Sequence, residues 1–298
     1  MDLKKRKTCA IIDGNKDKRE VLAMEKWITD MHTHTAFSYD GKDAIEKMLA
    51  AAQEKGVAFY GISEHFDFDY DLRLLDAKTA SEIYECDAEE YFHRARHCQE
   101  DYEGVMNVCI GGEFGYSEDE KAQARYLELY QKYKPDFVIN SVHGDKGKDF
   151  VFTDFTEPKE RTYKRYLQLV RQSLDVPYPY DVVGHIGYIA RYVPFENQGI
   201  TLEEFGAELD DIFKTIIQKG KILEVNTATK QLPNVTLPEW TLIERYYALG
   251  GRKISYGSDA HFAERIADKR EETVARLKQI GFEYVTVPCK GEHIKVRI

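Results

Sequence analysis

Histidine and acidic side chains that could bind metal ions lie close together near residue 30. His32 and His34 are separated by one residue, and Asp40 follows them within the same segment. On an extended segment, side chains two positions apart point the same way, so both imidazoles can face one cation. Neutral imidazole and carboxylate groups are ligands that zinc, manganese and iron accept. This segment therefore favours metal-dependent chemistry.

Further potential ligands follow, each at or just after the end of an apolar run. They are His65, Glu113, His143, His185, Asp259 and His261. A single histidine at the end of a strand is most often a hydrogen-bonded structural residue. The joint pattern instead predicts a multinuclear metal site, in which a carboxylate such as Glu113 could bridge two cations. Glycines beside several of these residues would let the backbone approach the ions without a Cβ clash.

The apolar runs themselves predict seven strands. The predicted strands are Trp27–Met31, Val57–Ser63, Val105–Phe114, Phe137–His143, Asp181–Gly187, Lys221–Thr227 and Lys253–Ser258. They are apolar throughout rather than alternating, which is typical of a parallel sheet covered on both faces.

Amphipathic segments that predict helices separate the strands. The predicted helices are Asp43–Lys55, Asp87–Tyr102, Glu118–Tyr133, Lys159–Leu174, Leu202–Gln218, Pro238–Leu249 and Glu264–Ile280. Gly56, Gly220 and Gly281 stand where a glycine commonly ends a helix. A series of β-then-α units favours a single TIM-like α/β barrel, in which all strand carboxyl ends open on one face. The tail Phe282–Ile298 is expected to add a final strand or strap.

Residues 1–24 do not join this pattern and are expected to lie outside the barrel, which leaves one domain over residues 25–298. Two interpretations of this segment remain open: it is a native N-terminal arm, or Met24 is the natural start. The basic residues Lys4–Lys7 lack interleaved aromatic residues, so a solvated tail is the better interpretation than a nucleic-acid contact.

Composition narrows the class of protein. The chain has 298 residues and a formal net charge of −10, which disfavours general binding to nucleic acid. No apolar run has the ~20 residues that a membrane span needs, and no secretory signal is recognised. The five cysteines include no CxxC pair, which is typical of a reduced, cytoplasmic chain. We therefore expect no membrane and no nucleic-acid partner; the sequence predicts no particular oligomeric state.

The motifs resemble those of the PHP (polymerase and histidinol phosphatase) family over about residues 28–285. The motifs are His32-Thr-His34, Ser38-Tyr-Asp40-Gly41, Ser63-Glu-His65, Gly112-Glu113, Ser141-Val-His143, Gly184-His185 and Gly257-Ser-Asp259-Ala-His261. Short segments that resemble those of the histidinol-phosphatase branch are Phe66–Asp69, Arg161–Tyr166 and Gly184–Tyr192. The resemblance implies a distorted seven-stranded barrel holding three divalent metal ions, drawn from Zn, Mn and Fe.

The resemblance also implies a ligand set for each ion. The first ion would take His32, His34, Glu113 and Asp259; the second would share Glu113 and add His143 and His185; the third would take Asp40, His65 and His261. Two neighbouring cations lower the pKa of a bridging water to near neutrality and so provide hydroxide. The cations would also let an acidic protein accept an anionic substrate.

This ligand set suits hydrolysis of a phosphate monoester, and the branch implies L-histidinol phosphate as the substrate in histidine biosynthesis. Asp259 and His261 are the nearest candidates for the group that protonates the leaving alkoxide. Arg191 is expected to bind phosphate through its guanidinium, with Arg161 as a weaker second candidate. Two alternatives stay open: a PHP phosphoesterase that acts on nucleotides or nucleic-acid ends, and a non-catalytic PHP scaffold.

One other group of histidines could be mistaken for a zinc site. His93 and His97 lie one helical turn apart, with Cys86 and Cys98 nearby. The surrounding segment is charged and amphipathic, so we expect His93 and His97 to lie on a solvated helix face.

Overall fold

The computed structural model of the chain describes residues 27–229 and 236–298. The expectations for residues 1–24, including the arm, the Met24 start and the solvated Lys4–Lys7 tail, lie outside the described residues.

Most of the strands belong to one parallel sheet. In chain order the strands are β1 (Ile28–Asp30), β2 (Val57–Phe66), β3 (Asn107–Gly115), β4 (Phe137–Ser141), β5 (Gly144–Asp145), β6 (Lys148–Asp149), β7 (Val182–Val183), β8 (Ile222–Asn226), β9 (Ile254–Gly257), β10 (Tyr284–Cys289) and β11 (Glu292–Arg297). The seven-stranded sheet has the order β1-β2-β3-β4-β7-β8-β9, which confirms the predicted barrel strands.

Backbone hydrogen bonds between the first and last strands close this sheet. The amide of Met31 donates to the carbonyl of Tyr256 at 3.1 Å, and the amide of Asp259 donates to the carbonyl of His32 at 2.8 Å. The fold is therefore an α/β barrel of the TIM-like kind, as predicted.

Helices surround the barrel and cover the outer face of the strands. They are α1 (Ile45–Glu54), α2 (Ala77–Glu82), α3 (Ala88–Asp101), α4 (Glu120–Tyr133), α5 (Lys159–Ser173), α6 (Leu202–Gln218), α7 (Trp240–Ala248) and α8 (Arg270–Ile280). Gly56, Gly220 and Gly281 all have positive φ and follow helices, as predicted. None of the helices in the described ranges is long and apolar enough to cross a bilayer.

The last predicted helix begins later than expected. Residues 263–265 form a short 3₁₀ turn, and α8 begins only at Arg270. Between them Ala267 and Lys269 have φ of 58° and 57°, a left-handed backbone that interrupts an α-helix. The helix predicted over Glu264–Ile280 is therefore wrong over its first six residues, 264–269.

The interior of the barrel is packed with side chains rather than open. The Phe137 ring at the start of β4 lies so close to Gly111 of β3 that a Cβ there would be 2.5 Å from its Cε1 atom. Phe137 itself is 1% exposed. Close packing of this kind holds the strands, and hence their carboxyl ends, in fixed relative positions.

The tail forms the antiparallel hairpin β10–β11, which lies across the amino-terminal end of the barrel. Its Gly291 amide donates to the carbonyl of Asp136, the residue before β4, and His293 pairs with Asp181, which precedes β7, at 3.2 Å. This end is opposite to the strand ends that carry the predicted ligands.

The cysteines differ from the expectation of a fully reduced chain. Cys109 of β3 and Cys289 of β10 form a disulfide, with their Cα atoms 5.7 Å apart. They are 180 positions apart along the chain, so spacing alone could not pair them; the hairpin brings them together. Cys86 and Cys98 are free and buried.

Candidate metal centre

The predicted ligands converge at the carboxyl ends of the barrel strands, around the carboxylate of Glu113. Its Oε1 atom lies 3.0 Å from His143 Nε2 and 2.7 Å from His185 Nε2. Its Oε2 atom lies 3.2 Å from His32 Nε2 and 3.0 Å from His65 Nδ1. This fully buried carboxylate thus contacts four imidazoles, and each belongs to a residue at or just after the end of a different barrel strand.

His32, His34 and Asp259 meet beside Glu113, where β1 and β9 close the barrel. The Nε2 atoms of His32 and His34 lie 3.0 Å apart. Asp259 Oδ1 is 3.4 Å from His34 Nε2 and 3.7 Å from His32 Nε2. Asp259 has a φ of 53°, an uncommon backbone conformation that often occurs at functional sites.

Asp40, His65 and His261 form the more open side of the cluster. Asp40 Oδ2 lies 3.1 Å from His261 Nε2, and Asp40 Oδ1 lies 3.6 Å from His65 Nε2. The ring of His34 stacks against both imidazoles, with its centroid 4.1 Å from that of His65 and 4.3 Å from that of His261. The Asp40 side chain is 40% exposed, so this side faces solvent.

Several buried polar atoms in the cluster make no well-aligned hydrogen bond, although some lie within 3.2 Å of another polar atom. They include Glu113 Oε2, His65 Nδ1, His185 Nδ1 and His261 Nε2. Buried polar atoms are almost always paired, so such a group indicates that an ion or water completes the site. Imidazole and carboxylate donors in this density fit divalent cations such as zinc.

Potential ligand atoms in the described residues fall into overlapping sets whose members lie within 4.8 Å of one another. The sets that contain only predicted ligands are His32–His34–Glu113, Glu113–His143–His185 and His34–His65–His261. The first two match the implied ligand sets except for Asp259, and the third places His34 where Asp40 was expected.

The electrostatics of the cluster favour added positive charge. Burial alone would raise the pKa of Glu113, but the surrounding imidazoles, His32 foremost, hold it well below its usual value. Burial alone would lower the pKa of His143, yet the carboxylates of Glu113 and Asp67 hold it well above its usual value. Burial lowers the pKa of His34, and His65 and His261 lower it further. The carboxylates therefore stay anionic and attract cations.

Sequence reasoning missed Glu224, which lies in β8. Its Oε1 atom accepts a hydrogen bond from His32 Nδ1 at 2.6 Å, and its Oε2 atom accepts the backbone N–H of His185 at 2.7 Å. Such a carboxylate fixes the tautomer and orientation of a ligating histidine. Glu224 is the one acidic residue in the segment Ile222–Asn226, and this feature of the sequence could have indicated its role.

Asp67, just beyond β2, was also missed as a site residue. Its Oδ1 atom lies 2.9 Å from His143 Nδ1, so the Nε2 atom of His143 faces Glu113. Asp67 Oδ2 lies 3.9 Å from His65 Nδ1. The acidic segment Phe66–Asp69 could have indicated Asp67. The alternation of side chains along an extended segment does not, however, determine which of its two acidic residues points towards the cluster.

The two predicted phosphate-binding arginines are placed differently. Arg191, in the 3₁₀ turn after β7, is buried, and its Nη2 atom lies 3.3 Å from Asn226 Oδ1 and 3.5 Å from Asp259 Oδ2. The Nε atom of Arg191 has no partner. Arg161 lies on α5 with 75% of its side chain exposed, where it pairs with Glu157 at 3.0 Å. The structure therefore does not bring Arg161 to the site, because its helix face points to solvent.

A cavity of about 300 Å³ opens above the cluster. His65, His143, His185 and His261 line its floor together with Asp259, and Arg191, Lys42 and Arg265 also line it. Tyr39, Tyr70 and Tyr188 line the cavity as well. The arrangement can take an anionic group directly above a set of cations.

The other histidine group is a solvated face, as expected. His93 and His97 are exposed on α3, and His97 pairs with Asp101 at 3.3 Å. Cys98 points to the opposite, buried side of the helix.

A known sequence and a known crystal structure resemble the chain along most of its length. The histidinol-phosphatase of Lactococcus lactis subsp. lactis is 28% identical over 264 residues, which cover 85% of this chain and 91% of that protein. A crystal structure of histidinol phosphate phosphatase from the same organism, in complex with zinc, L-histidinol and phosphate, superposes with a TM-score of 0.75. It is 24% identical and covers 89% of this chain and 98% of that one, which shows a shared fold.

A family model also matches the part of the chain that carries most of the cluster. The model of the PHP domain matches residues 30–228, which is more than half of the chain. That span begins two residues before His32 and includes Glu113, His143 and His185. The chain belongs to the PHP domain family.

Proposed function

We propose that the chain is a metal-dependent phosphatase that hydrolyses L-histidinol phosphate to L-histidinol and phosphate. The observation that carries the proposal is the convergence of imidazoles and carboxylates on Glu113, beneath a cavity that the Arg191 guanidinium also lines. The related L. lactis enzyme, whose structure contains zinc, L-histidinol and phosphate, supports the choice of ester.

We further propose that the cluster holds three divalent ions of Zn, Mn or Fe. The proposed ligands are His32, His34, Glu113 and Asp259 for one ion, Glu113, His143 and His185 for the next, and Asp40, His65 and His261 for the last. Divalent cations bound there would stabilise negative charge on the phosphate oxygens and lower the pKa of bound water. Glu224 and Asp67 would hold His32 and His143 in the ligating orientation.

The chain's own side chains complete the proposed reaction. Arg191 is held by Asn226 and Asp259 at the cavity wall, where its guanidinium can donate two hydrogen bonds to phosphate oxygens. Asp259 and His261 line the same cavity, and His261 Nδ1 lies 2.9 Å from the carbonyl oxygen of Asp259. We assign proton transfer to this pair: the Asp259 carboxylate would accept the proton that the attacking water loses and, beside His261, pass it to the leaving alkoxide oxygen.

A phosphate-release screen tests the choice of substrate. Histidinol phosphate should exceed nucleoside monophosphates in kcat/KM by at least ~100-fold, because only the correct leaving group fills the cavity beside the metals. Arg191→Ala should lower kcat/KM for every ester without reordering them, since a guanidinium binds the phosphate common to all.

Arg161→Ala is the matched control, because Arg161 lies outside the cavity and should leave every rate unchanged. Equal or faster hydrolysis of nucleotides or of 3′-phosphorylated DNA would replace histidinol phosphate with the nucleotide alternative. No hydrolysis of any ester by metal-loaded protein would leave the scaffold alternative.

A further inference from the structure

Asp149, at the end of β6, is a buried carboxylate in the wall of the cavity. It is 3% exposed, and it lines the cavity together with Tyr70 and Tyr188. Its Oδ2 atom accepts a hydrogen bond from the Tyr70 hydroxyl at 2.6 Å, and its Oδ1 atom accepts the backbone N–H of Val151 at 2.8 Å. The Tyr188 hydroxyl lies 3.3 Å from Oδ1 and 3.4 Å from Oδ2.

This carboxylate lacks the cationic partner that a buried charge normally has. Within residues 27–229 and 236–298, no lysine or arginine forms an ion pair with Asp149. Removing a carboxylate from water is costly unless a cation and hydrogen bonds compensate for it. Asp149 has such hydrogen bonds, from the Tyr70 hydroxyl and the Val151 amide, and a cationic group of a ligand in the cavity would add an ionic contact.

Arg191 and Asp149 both contact Tyr188 in the cavity wall. Arg191 is on the side of Asp259, where its guanidinium lies 4.9 Å from the centroid of the Tyr188 ring. The opposite side of Tyr188 presents its hydroxyl to Asp149. The guanidinium of Arg191 therefore suits a phosphate, and the carboxylate of Asp149 suits a positively charged group.

We propose that Asp149, with the Tyr70 and Tyr188 hydroxyls, forms the subsite that binds the cationic ammonium group of the substrate. The inference rests on the proposed function and adds a specificity-determining residue to it. Metals and Arg191 take the phosphate end of the ester, whereas Asp149 selects esters that carry a positive charge near the bridging oxygen. A charge-assisted hydrogen bond between ammonium and buried carboxylate provides this selection.

The first test compares two esters that differ only in charge. O-Phosphoethanolamine carries an ammonium group where n-propyl phosphate carries a methyl group. Zinc-loaded wild-type protein should prefer the ammonium ester in kcat/KM by at least ~10-fold, the size of a hydrogen bond between charged groups. Asp149→Asn should lower this ratio about 10-fold, and the ratio cancels any general loss of activity.

Asp145→Asn is the matched control. Asp145 lies in the same hairpin, but it pairs with Arg165 at 2.7 Å rather than lining the cavity. This variant should keep the wild-type ratio. A wild-type ratio near one overturns the proposal even if Asp149→Asn fails to fold. A high ratio that Asp149→Asn leaves unchanged also overturns it, because a merely structural carboxylate would not set charge selectivity.

A binding measurement separates this proposal from the proposed function. By calorimetry, zinc-loaded wild-type protein should bind L-histidinol at least ~10-fold more tightly than its deamino analogue, in which hydrogen replaces the ammonium group. Asp149→Asn should remove that difference. If this holds but no ester is hydrolysed, the subsite stands and the phosphatase proposal fails. If histidinol phosphate is hydrolysed but Asp149→Asn changes neither ratio, the phosphatase stands and the subsite is rejected.

Discussion

Glu113 is the residue on which the cluster depends most, because both of its oxygens face imidazoles. Oε1 lies near His143 and His185, and Oε2 lies near His32 and His65. A neutral amide in its place offers one acceptor oxygen and no charge. The substitution therefore disturbs at least two of the proposed metal sites at once.

Glu113→Gln should lose more than one equivalent of metal and reduce phosphatase activity by more than ~100-fold, since metal ions contribute several kcal/mol to such reactions. Elemental analysis and phosphate release measure both effects on the same sample. Far-UV circular dichroism should show a retained fold. Full metal content in this variant would contradict the bridging role.

Glu224 acts on the site through His32, and its removal should have a smaller effect. Glu224→Gln should weaken metal affinity or activity by about 10- to 100-fold, the usual cost of losing a carboxylate that orients a ligating histidine. Competition with a coloured chelator measures the affinity. Glu203→Gln, on the exposed first turn of α6, is the control and should match wild type.

At the scale of elements, the positions of strands and long helices were predictable from sequence, because continuous apolar runs and amphipathic periodicity determine them. Predicting the strands also located the ligands, since His65, Glu113 and His185 fall at strand ends. The hairpin β5–β6 and the helix α2 were not predicted, because short polar segments carry no period. Asp149 and its contact with Tyr70 were therefore invisible before the structure.

Gly257 in β9 lies so close to His32, after β1, and to Glu224, in β8, that a larger residue would not fit. A Cβ on Gly257 would lie 2.6 Å from the Cβ of His32 and would also clash with Glu224 Oε1. Gly257→Ala should therefore displace His32 and reduce metal content, which elemental analysis would detect. Gly206→Ala in α6 meets nothing within 4 Å and should instead stabilise the fold by about 0.5–1 kcal/mol. Equal metal content in both variants would show that β9 can shift freely.

At the scale of the whole molecule, the metals should contribute to stability as well as to activity. Protein purified without chelator should contain about three equivalents of Zn, Mn and Fe combined, as the proposed ligand sets require. Removing them should abolish activity and lower the thermal midpoint, because ions that bind only the folded state stabilise it by about 2.7 kcal/mol at a hundredfold excess over Kd. Full activity with one equivalent would contradict the three-ion proposal.

The disulfide ties the C-terminal hairpin to the end of the barrel opposite the metal cluster. A non-reducing digest should yield the linked Cys109 and Cys289 peptides. Cys289→Ser should lower the free energy of unfolding by about 2–4 kcal/mol while activity per bound metal stays unchanged. Free thiols at both positions in protein handled without reductant would show that the bond does not form.

The closure of the barrel between β1 and β9 has a consequence for how the protein is made. The Asp30 carboxylate accepts the amide of Ser258 at 2.9 Å, although the two residues are 228 positions apart. At ~5–20 residues per second, a ribosome adds the second about 10–45 s after the first. Throughout that interval His32 and His34 exist without Asp259 and His261. With the proposed ligand sets, a nascent chain therefore lacks ligands of the first and third ions until Asp259 and His261 have been added, so those two sites would be completed last.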